Sequence, residues 1–278
     1  MIWLNGRLMP REQARIDPAD RGLLLADGLF ETLRAYHGHA FRIEDHLQRM
    51  ASGAAELAIP LPLDPPGIAE AVRETLAANR LAAADAAVRI TLTRGPGQRG
   101  LLPPKDPMPT LIISAAAYQP PSRADGFIAI TSKRARRSER SVTARLKTLC
   151  YLDNVVAQAE AEAAGADEAI MLNGRDAVSC GARSNVFAVC AGTLRTPAIE
   201  EGALPGITRR IALDLCKAEG IEALECTVER AALRAASELF VTNSLLEIMP
   251  VRRCDGADLR VGPLTKRIAQ AFACLTPS

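Results

Sequence analysis

The sequence of 278 residues suggests two domains, because a typical globular domain has about 150 residues. Lys and Arg total 34 against 32 for Asp and Glu, so no broad basic field is available to attract nucleic acid or an anionic membrane surface. No apolar run reaches the roughly 20 residues that span a bilayer. The first residues also lack a basic leader followed by an apolar core, so we expect no signal peptide.

The cysteine and histidine content indicates the compartment and argues against a metal centre. Seven cysteines form an odd set without a C-x-x-C pair, which is typical of reduced thiols rather than a disulfide or zinc framework. Three histidines, at positions 37, 39 and 46, cannot form a metal site without help from carboxylates. We therefore expect a cytoplasmic protein without a metal ion.

In the N-terminal part of the chain, predicted strands alternate with predicted helices. A short hairpin over residues 2–8 turns at Asn5-Gly6, a dipeptide that suits the left-handed backbone of a tight turn. Apolar spacing then predicts strand 29–36 with a turn at 37–39, helices 43–57 and 68–78, and strands 88–93 and 110–115.

A proline-rich segment over residues 119–126 is the predicted linker, since paired prolines interrupt regular structure. Beyond it we predict strand 127–131, helix 151–164, strands 168–172, 177–179 and 185–189, helix 206–219 and strand 239–242. The sequence therefore predicts two α+β domains, residues 1–118 and residues 127–278, with Lys147 in the second.

Considered alone, few residues indicate a particular chemistry, because the common nucleotide, zinc-protease and hydrolase motifs are absent. The glycine-rich basic loop 94–100 suits either an anion-binding site or an exposed hairpin. Lys147, on a semi-apolar segment before a predicted helix, could serve as an amine nucleophile towards a carbonyl, and it could equally be a surface lysine.

Several short segments along the chain carry more information together than singly. They are Asp20-Arg21-Gly22, Asp27-Gly28-Leu29-Phe30-Glu31, His46-Leu47-Gln48-Arg49, Thr93-Arg94-Gly95 through Arg99-Gly100, Leu146-Lys147-Thr148-Leu149-Cys150-Tyr151-Leu152, Asp167-Glu168-Ala169, Ser184-Asn185-Val186-Phe187, Pro205-Gly206-Ile207-Thr208-Arg209 and Val241-Thr242-Asn243-Ser244. In this order, the chain resembles the class IV, or fold-type IV, pyridoxal phosphate enzymes over nearly its whole length. That group contains branched-chain and D-amino-acid aminotransferases and aminodeoxychorismate lyase.

The resemblance implies a two-domain α+β fold of the D-amino-acid-aminotransferase type, a homodimer, and pyridoxal 5'-phosphate as cofactor. Lys147 matches the lysine that binds the cofactor covalently and moves the substrate's α-proton. The residues that match the family's other cofactor contacts are Arg49, Ile207, Thr208 and Ser244 for the phosphate, and Tyr151 for the phenolic oxygen. A helix beginning at Gly206 would suit a phosphate through its unpaired N–H groups.

One position departs from the family pattern. Where relatives carry a glutamate that pairs with the pyridine nitrogen of the cofactor, this chain has Cys180, after Val178-Ser179. A neutral thiol is a weak hydrogen-bonding group and cannot stabilise a pyridinium ion by charge. The departure affects the expected reaction type more than the expected binding of the cofactor.

The function implied is transfer of an amino group between an amino acid and a 2-oxo acid, with branched-chain substrates slightly ahead of D-amino acids. Phe30 and Arg34 share a strand face by even spacing and are expected to line the pocket, with Arg99 as the carboxylate anchor. Aminodeoxychorismate lyase and a non-catalytic cofactor-binding protein remain alternatives.

Overall fold

Two compact units make up the chain in the computed structural model, which describes residues 1–121 and 125–277. The first unit contains Met1–Pro120 together with Leu146–Cys150, and the second contains Tyr151–Leu275 and the described part of Pro121–Arg145. Residues 122–124 of the expected linker lie outside the described residues. The boundary at 119–126 stays a prediction, whereas Lys147, which we expected in the second domain, groups with the first unit.

The first unit is built on an antiparallel sheet of six strands in the order β2-β1-β6-β5-β3-β4. The strands are β1 (Ile2–Leu4), β2 (Arg7–Met9), β3 (Gly28–Tyr36), β4 (His39–Ala40), β5 (Ala86–Thr93) and β6 (Thr110–Ala117). The hairpin predicted at Asn5-Gly6 joins β1 to β2, and both turn residues have positive φ, 47° and 91°.

Three α-helices accompany this sheet: α1 (Arg21–Leu25), α2 (Ile43–Glu56) and α3 (Pro65–Ala78). Helix α3 starts three residues before the predicted 68–78 because Asp64 caps the amide of Gly67 and proline is tolerated in the first turn. Alternate residues of β3, among them Leu29 and Leu33, join the core that α2 and α3 cover. The other face of β3 carries Phe30 and Arg34.

The second unit contains a mixed sheet, with nine strands among residues 125–277 and the main order β12-β11-β10-β13-β14-β7-β8-β9. These strands are β7 (Phe127–Arg136), β8 (Glu168–Leu172), β9 (Val178–Gly181), β10 (Asn185–Cys190), β11 (Thr193–Pro197), β12 (Ala223–Cys226), β13 (Glu238–Asn243), β14 (Glu247–Cys254) and β15 (Ala257–Asp258). The helices are α4 (Val142–Arg145), α5 (Leu152–Ala163), α6 (Ile207–Ala218), α7 (Arg230–Ala235) and α8 (Pro263–Ala273).

The sequence prediction missed several of these elements for identifiable reasons. Strand β14 contains Pro250, which argues against a strand that is paired on both sides. Helix α8, by contrast, was missed although the sequence carries a helical signal there: Ile268 and Phe272 are four residues apart, and both are buried in the structure. The α+β class itself is confirmed. None of the described helices is both long and apolar enough to cross a bilayer.

Candidate active site

Lys147 is fixed by pairing of its backbone with strand β3 of the first unit. The amide of Phe30 donates to the carbonyl of Lys147 at 2.9 Å, and the amide of Leu149 donates to Gly28 at 2.9 Å. Gly28 permits this close approach, because a Cβ there would lie 2.9 Å from Cδ1 of Leu149. Lys147 is half-buried, and its Nζ lies 4.3 Å from the centre of the Phe30 ring.

A second cation contacts the same aromatic ring. The guanidinium carbon of Arg89 lies 3.9 Å from the centre of Phe30, and Arg89 is paired with Thr32 across β5 and β3. A cavity of about 340 Å³ on this unit is lined by Arg11, Thr32, Ala87, Val88, Arg89, Ser114, Ala115 and Ala116. Sequence reasoning missed Arg89, because the alternation of residues along β5 indicates the face on which Arg89 lies but not that Phe30 is its neighbour.

Arg34 lies on the same face of β3 as Phe30 but is held by other partners. Its Nη2 donates to Asp85 at 2.6 Å, and its guanidinium lies over the rings of Tyr36 and Tyr118 at 4.3 and 5.4 Å. The hydrogen bond from Arg34 lowers the pKa of Asp85 below its ordinary value. A role for Arg34 in the pocket stays a prediction.

Arg49 forms a buried ion pair with Glu31, a β3 residue on the opposite face from Phe30. Its Nε and Nη2 donate to the two carboxylate oxygens of Glu31 at 2.8 and 2.6 Å, and the His46 ring contacts the same carboxylate at 2.7 Å. Burial alone would raise the pKa of Glu31, but the charge of Arg49 and the hydrogen bond from His46 lower it to about 2. Arg49 therefore has a structural partner besides its expected phosphate role.

We predict that Arg49→Ala lowers the free energy of unfolding by about 3–5 kcal/mol at neutral pH, since Glu31 would stay buried without its main cation. Glu31 has a folded-state pKa of about 2 against an ordinary value of 4.5, so its contribution is complete above pH 4.5 and is lost as the pH falls through 2. The difference in the free energy of unfolding between variant and wild type should therefore decrease as the pH falls from 4.5 to 2. Denaturant titration of both proteins without added cofactor measures it.

The control for this prediction is Arg73→Ala, which removes the partner of Glu70 in an exposed pair on α3. Exposed pairs contribute little, so this variant should match the wild type at every pH. Two results would contradict the role assigned to Glu31. One is an equal loss of stability in both variants, and the other is a loss of unfolding free energy in Arg49→Ala that does not change with pH.

The glycine-rich loop contains two arginines in different environments. Arg94 is buried: its Nε donates to Asp27 at 2.8 Å, and its terminal nitrogens donate to the carbonyls of Leu57 and Ala58 at 2.8 Å. Burial would raise the pKa of Asp27, but hydrogen bonds from Arg94 and Arg21 hold it below the ordinary value. Arg94 therefore serves the fold, whereas Arg99 is exposed and its role stays a prediction.

In the second unit, the expected cofactor residues lie on elements that meet at the turn between β9 and β10. Within this turn the amide of Gly181 donates to the carbonyl of Ser184 at 2.8 Å. The side-chain amide of Asn243, the residue before Ser244, donates to the carbonyl of Arg183 at 3.0 Å. Asn185 donates to the carbonyl of Leu204, close to the start of α6, at 2.8 Å. The turn thus connects the segments that carry Cys180, Ile207, Thr208 and Ser244.

The start of α6 has the chemistry that a phosphate requires. Its N-cap is Gly206, so no side chain caps the helix, and Ile207 and Thr208 in the first turn are buried. A Cβ on Gly206 would lie 2.1 Å from Oδ1 of Asn185, so a larger residue would require the Asn185 side chain to move. On the neighbouring strand β13, the hydroxyl of Thr242 is buried without a hydrogen-bond partner among the described residues. These residues fit the phosphate group that the family implies.

Cys180 and Tyr151 occupy different positions in the second unit. Cys180 is buried within β9, opposite Met171. Its neighbour Gly181 lies against Glu168, a fully buried carboxyl that accepts a hydrogen bond from Ser184 at 2.8 Å and whose pKa is raised by burial. Tyr151 is half-buried at the N-cap of α5. The roles of both residues remain predictions.

Comparison with known proteins identifies the family. The model of the family described as amino-transferase class IV matches residues 28–254, well over half of the chain. The chain belongs to the class IV aminotransferase family. It is similar to the branched-chain-amino-acid aminotransferase of Salmonella typhimurium, with 34% identity over 98% of this chain and 91% of that protein. The expected resemblance is confirmed.

Solved structures of class IV aminotransferase relatives have the same fold. A crystal structure of branched-chain amino acid aminotransferase from Escherichia coli matches with a TM-score of 0.92 and 32% identity, over 99% of this chain and 93% of that one. The 4-amino-4-deoxychorismate lyase from Pseudomonas aeruginosa matches with a TM-score of 0.87 and 33% identity, over 99% and 98%. The chain is thus an enzyme of this family, and relatives of both reaction types share its fold.

Proposed function

We propose that this class IV aminotransferase transfers an amino group between a branched-chain-type amino acid and a 2-oxo acid, with pyridoxal 5'-phosphate bound to Lys147. The observation that carries the proposal is the position of the Lys147 amine, which is held over Phe30 by backbone pairing with β3, on a ring that the cation of Arg89 also contacts. An amine nucleophile, an apolar ring and a carboxylate-binding cation are what this reaction requires of the protein. A homodimer in the cytoplasm remains part of the proposal.

The residues that would hold the cofactor fall into two groups: one suits its phosphate, and the other, Lys147, suits its reactive end. The uncapped start of α6, with Ile207 and Thr208, suits the phosphate dianion, as does the hydroxyl of Ser244. Arg49 would add a planar cation that Glu31 already orients. The bound cofactor supplies an aromatic ring that accepts electrons when the substrate's α-proton leaves. Lys147 Nζ would then take that proton and return it to a different carbon, as general base and general acid.

The pocket residues suit both halves of an aminotransferase reaction. The ring of Phe30 would contact an aliphatic side chain, which gains free energy by leaving water. Arg89, on the same ring and at the edge of the lined cavity, would bind the distal carboxylate of a dicarboxylic 2-oxo acid. Arg99 would bind the carboxylate that every substrate carries. D-amino acids remain the second stereochemical option.

Aminodeoxychorismate lyase is the second candidate function, and one comparison favours it. The chain covers 98% of the Pseudomonas aeruginosa lyase structure but 93% of the Escherichia coli aminotransferase, so its length is nearer to that of the lyase. Both activities can be assayed on the same preparation. Formation of pyruvate and an aminobenzoate from aminodeoxychorismate, without transamination of any L- or D-amino acid, would reject the aminotransferase.

We predict that borohydride reduction fixes the cofactor to Lys147. Reduction of the protein with bound pyridoxal 5'-phosphate, followed by peptide mass analysis, should place the added mass on the peptide containing this residue. Lys147→Ala should show no such adduct under the same conditions while remaining folded. An adduct on another lysine of the wild type would overturn the assignment.

We predict that Arg89→Ala and Arg99→Ala have different substrate dependences. Loss of a charge-assisted hydrogen bond costs about 1.5–3 kcal/mol, or roughly tenfold or more in the Michaelis constant. Arg89→Ala should raise this constant only for 2-oxo acids with a distal carboxylate, whereas Arg99→Ala should raise it for every substrate. Steady-state kinetics with 2-oxoglutarate and with a monocarboxylic 2-oxo acid distinguishes the roles of the two arginines. Identical effects on both acids would remove Arg89 from the distal subsite.

We predict that Cys180→Glu accelerates removal of the α-proton from amino-acid substrates. A carboxylate facing the pyridine nitrogen would keep that nitrogen protonated and strengthen its withdrawal of electrons. Burial of the new carboxyl opposes this effect, but the cofactor nitrogen itself supplies the compensating cation. Single-turnover spectroscopy of the wild type, Cys180→Glu and the neutral control Cys180→Ser measures the step. A Cys180→Glu variant that binds cofactor normally and reacts no faster would show that the reaction does not depend on this position.

A further inference from the structure

Arg21 holds three consecutive backbone carbonyls of the loop that contains Arg99. Its Nη1 donates to Gly100 at 3.1 Å and to Leu102 at 3.4 Å, and its Nη2 donates to Leu101 at 2.9 Å. Its Nε donates to Asp27 at 2.8 Å, and the whole side chain is only 5% exposed. All three guanidinium nitrogens are therefore used inside the protein.

The connection continues from Asp27 into the body of the first unit. Asp27 also accepts a hydrogen bond from Arg94, whose terminal nitrogens donate to the carbonyls of Leu57 and Ala58 after helix α2. The guanidinium of Arg21 is thus anchored through one carboxylate to a second buried guanidinium. Such a network fixes geometry, because a buried charge pair tolerates little displacement.

Near its start the loop is also held by the amide of Gly97, which donates to the carbonyl of Ala19 at 3.2 Å, but its tip at residues 101–102 is exposed. Leu101 and Leu102 are 81% and 89% exposed, so they contribute almost no apolar burial. Gly100 has a φ of +126°, and a Cβ at Gly97 would lie 2.9 Å from Cδ of Arg21. A glycine-containing loop without buried side chains samples many conformations unless its backbone is bound. The bonds from Arg21 supply that restraint, and glycine lets the chain pass close to them.

We infer that Arg21 is a positioning residue, which holds residues 97–102 in the one conformation that presents Arg99 to the substrate carboxylate. The inference rests on the proposed function, and specifically on the carboxylate-binding role of Arg99. Arg21 itself does not touch substrate, because its nitrogens are engaged with Asp27 and the loop carbonyls.

The test compares Arg21→Lys with the matched control Arg94→Lys in the holoenzyme. Both changes keep a cation beside Asp27 and remove backbone-carbonyl contacts from a buried guanidinium, but only Arg21 donates to the carbonyls of residues 100–102. Arg21→Lys should accelerate tryptic cleavage after Arg99 about tenfold and raise the Michaelis constant about tenfold with little change in kcat. Arg94→Lys leaves the three bonds from Arg21 to the loop in place, so it should change both the cleavage rate and the Michaelis constant much less than Arg21→Lys does. Equal cleavage rates in the two variants would overturn the inference.

Two further variants complete the design. Gly100→Ala strains the backbone at a positive φ without a steric clash, so it should reproduce the raised Michaelis constant even if Arg21→Lys does not fold. Arg21→Lys combined with Arg99→Ala should bind substrate no worse than Arg99→Ala alone, since both changes remove the same interaction. If the two substitutions instead raised the Michaelis constant additively, the inference would be overturned. Faster cleavage of Arg21→Lys, with no kinetic effect of Arg99→Ala, would instead reject the proposed role of Arg99.

Discussion

The alternation of side chains along β3 is the constraint on which the first unit depends. Successive residues of a strand point to opposite faces, so Leu29 and Leu33 enter the core while Phe30 and Arg34 lie on the other side. Lys147 pairs with this same strand, which places its amine over Phe30. A shift of one residue in the register of β3 would turn Phe30 and Arg34 into the core and Leu29 and Leu33 out of it.

Two carboxylates, the buried Glu31 and the half-buried Asp27, then position the polar side chains around this strand. Glu31 binds Arg49 and His46, and Asp27 binds Arg21 and Arg94. Buried ion pairs add little net stability, because desolvation of the charges opposes their attraction. Their effect here is geometric, since each carboxylate fixes the orientation of two side chains, and Asp27 joins two arginines that are 73 residues apart in the sequence.

Much of the fold and part of the site follow from the sequence. Periodicity locates most strands and helices of the first unit, and the ordered motifs single out Lys147 and the start of α6. The side-chain partners of these residues cannot be predicted from the sequence, because the fold brings them together from distant parts of the chain. Nothing near Arg49 in the sequence indicates that Glu31 binds it, and nothing in loop 94–100 distinguishes the buried Arg94 from the exposed Arg99. Arg89 was missed because the alternation of residues along a strand shows on which face of the sheet a residue lies, but not which residue of another strand it contacts.

The return of residues 146–150 to the first unit has a consequence for how the chain matures. The chain leaves this unit, forms β7 and α4 of the second, and comes back to pair with β3 before it leaves again. An N-terminal fragment that ends at the linker would therefore lack both the amine and part of the pairing of β3. Closing a loop of this length is an entropic barrier that local contacts do not lower. During synthesis, Lys147 can reach its place beside β3 only after about half of the protein has left the ribosome, so this pairing is a late event in folding.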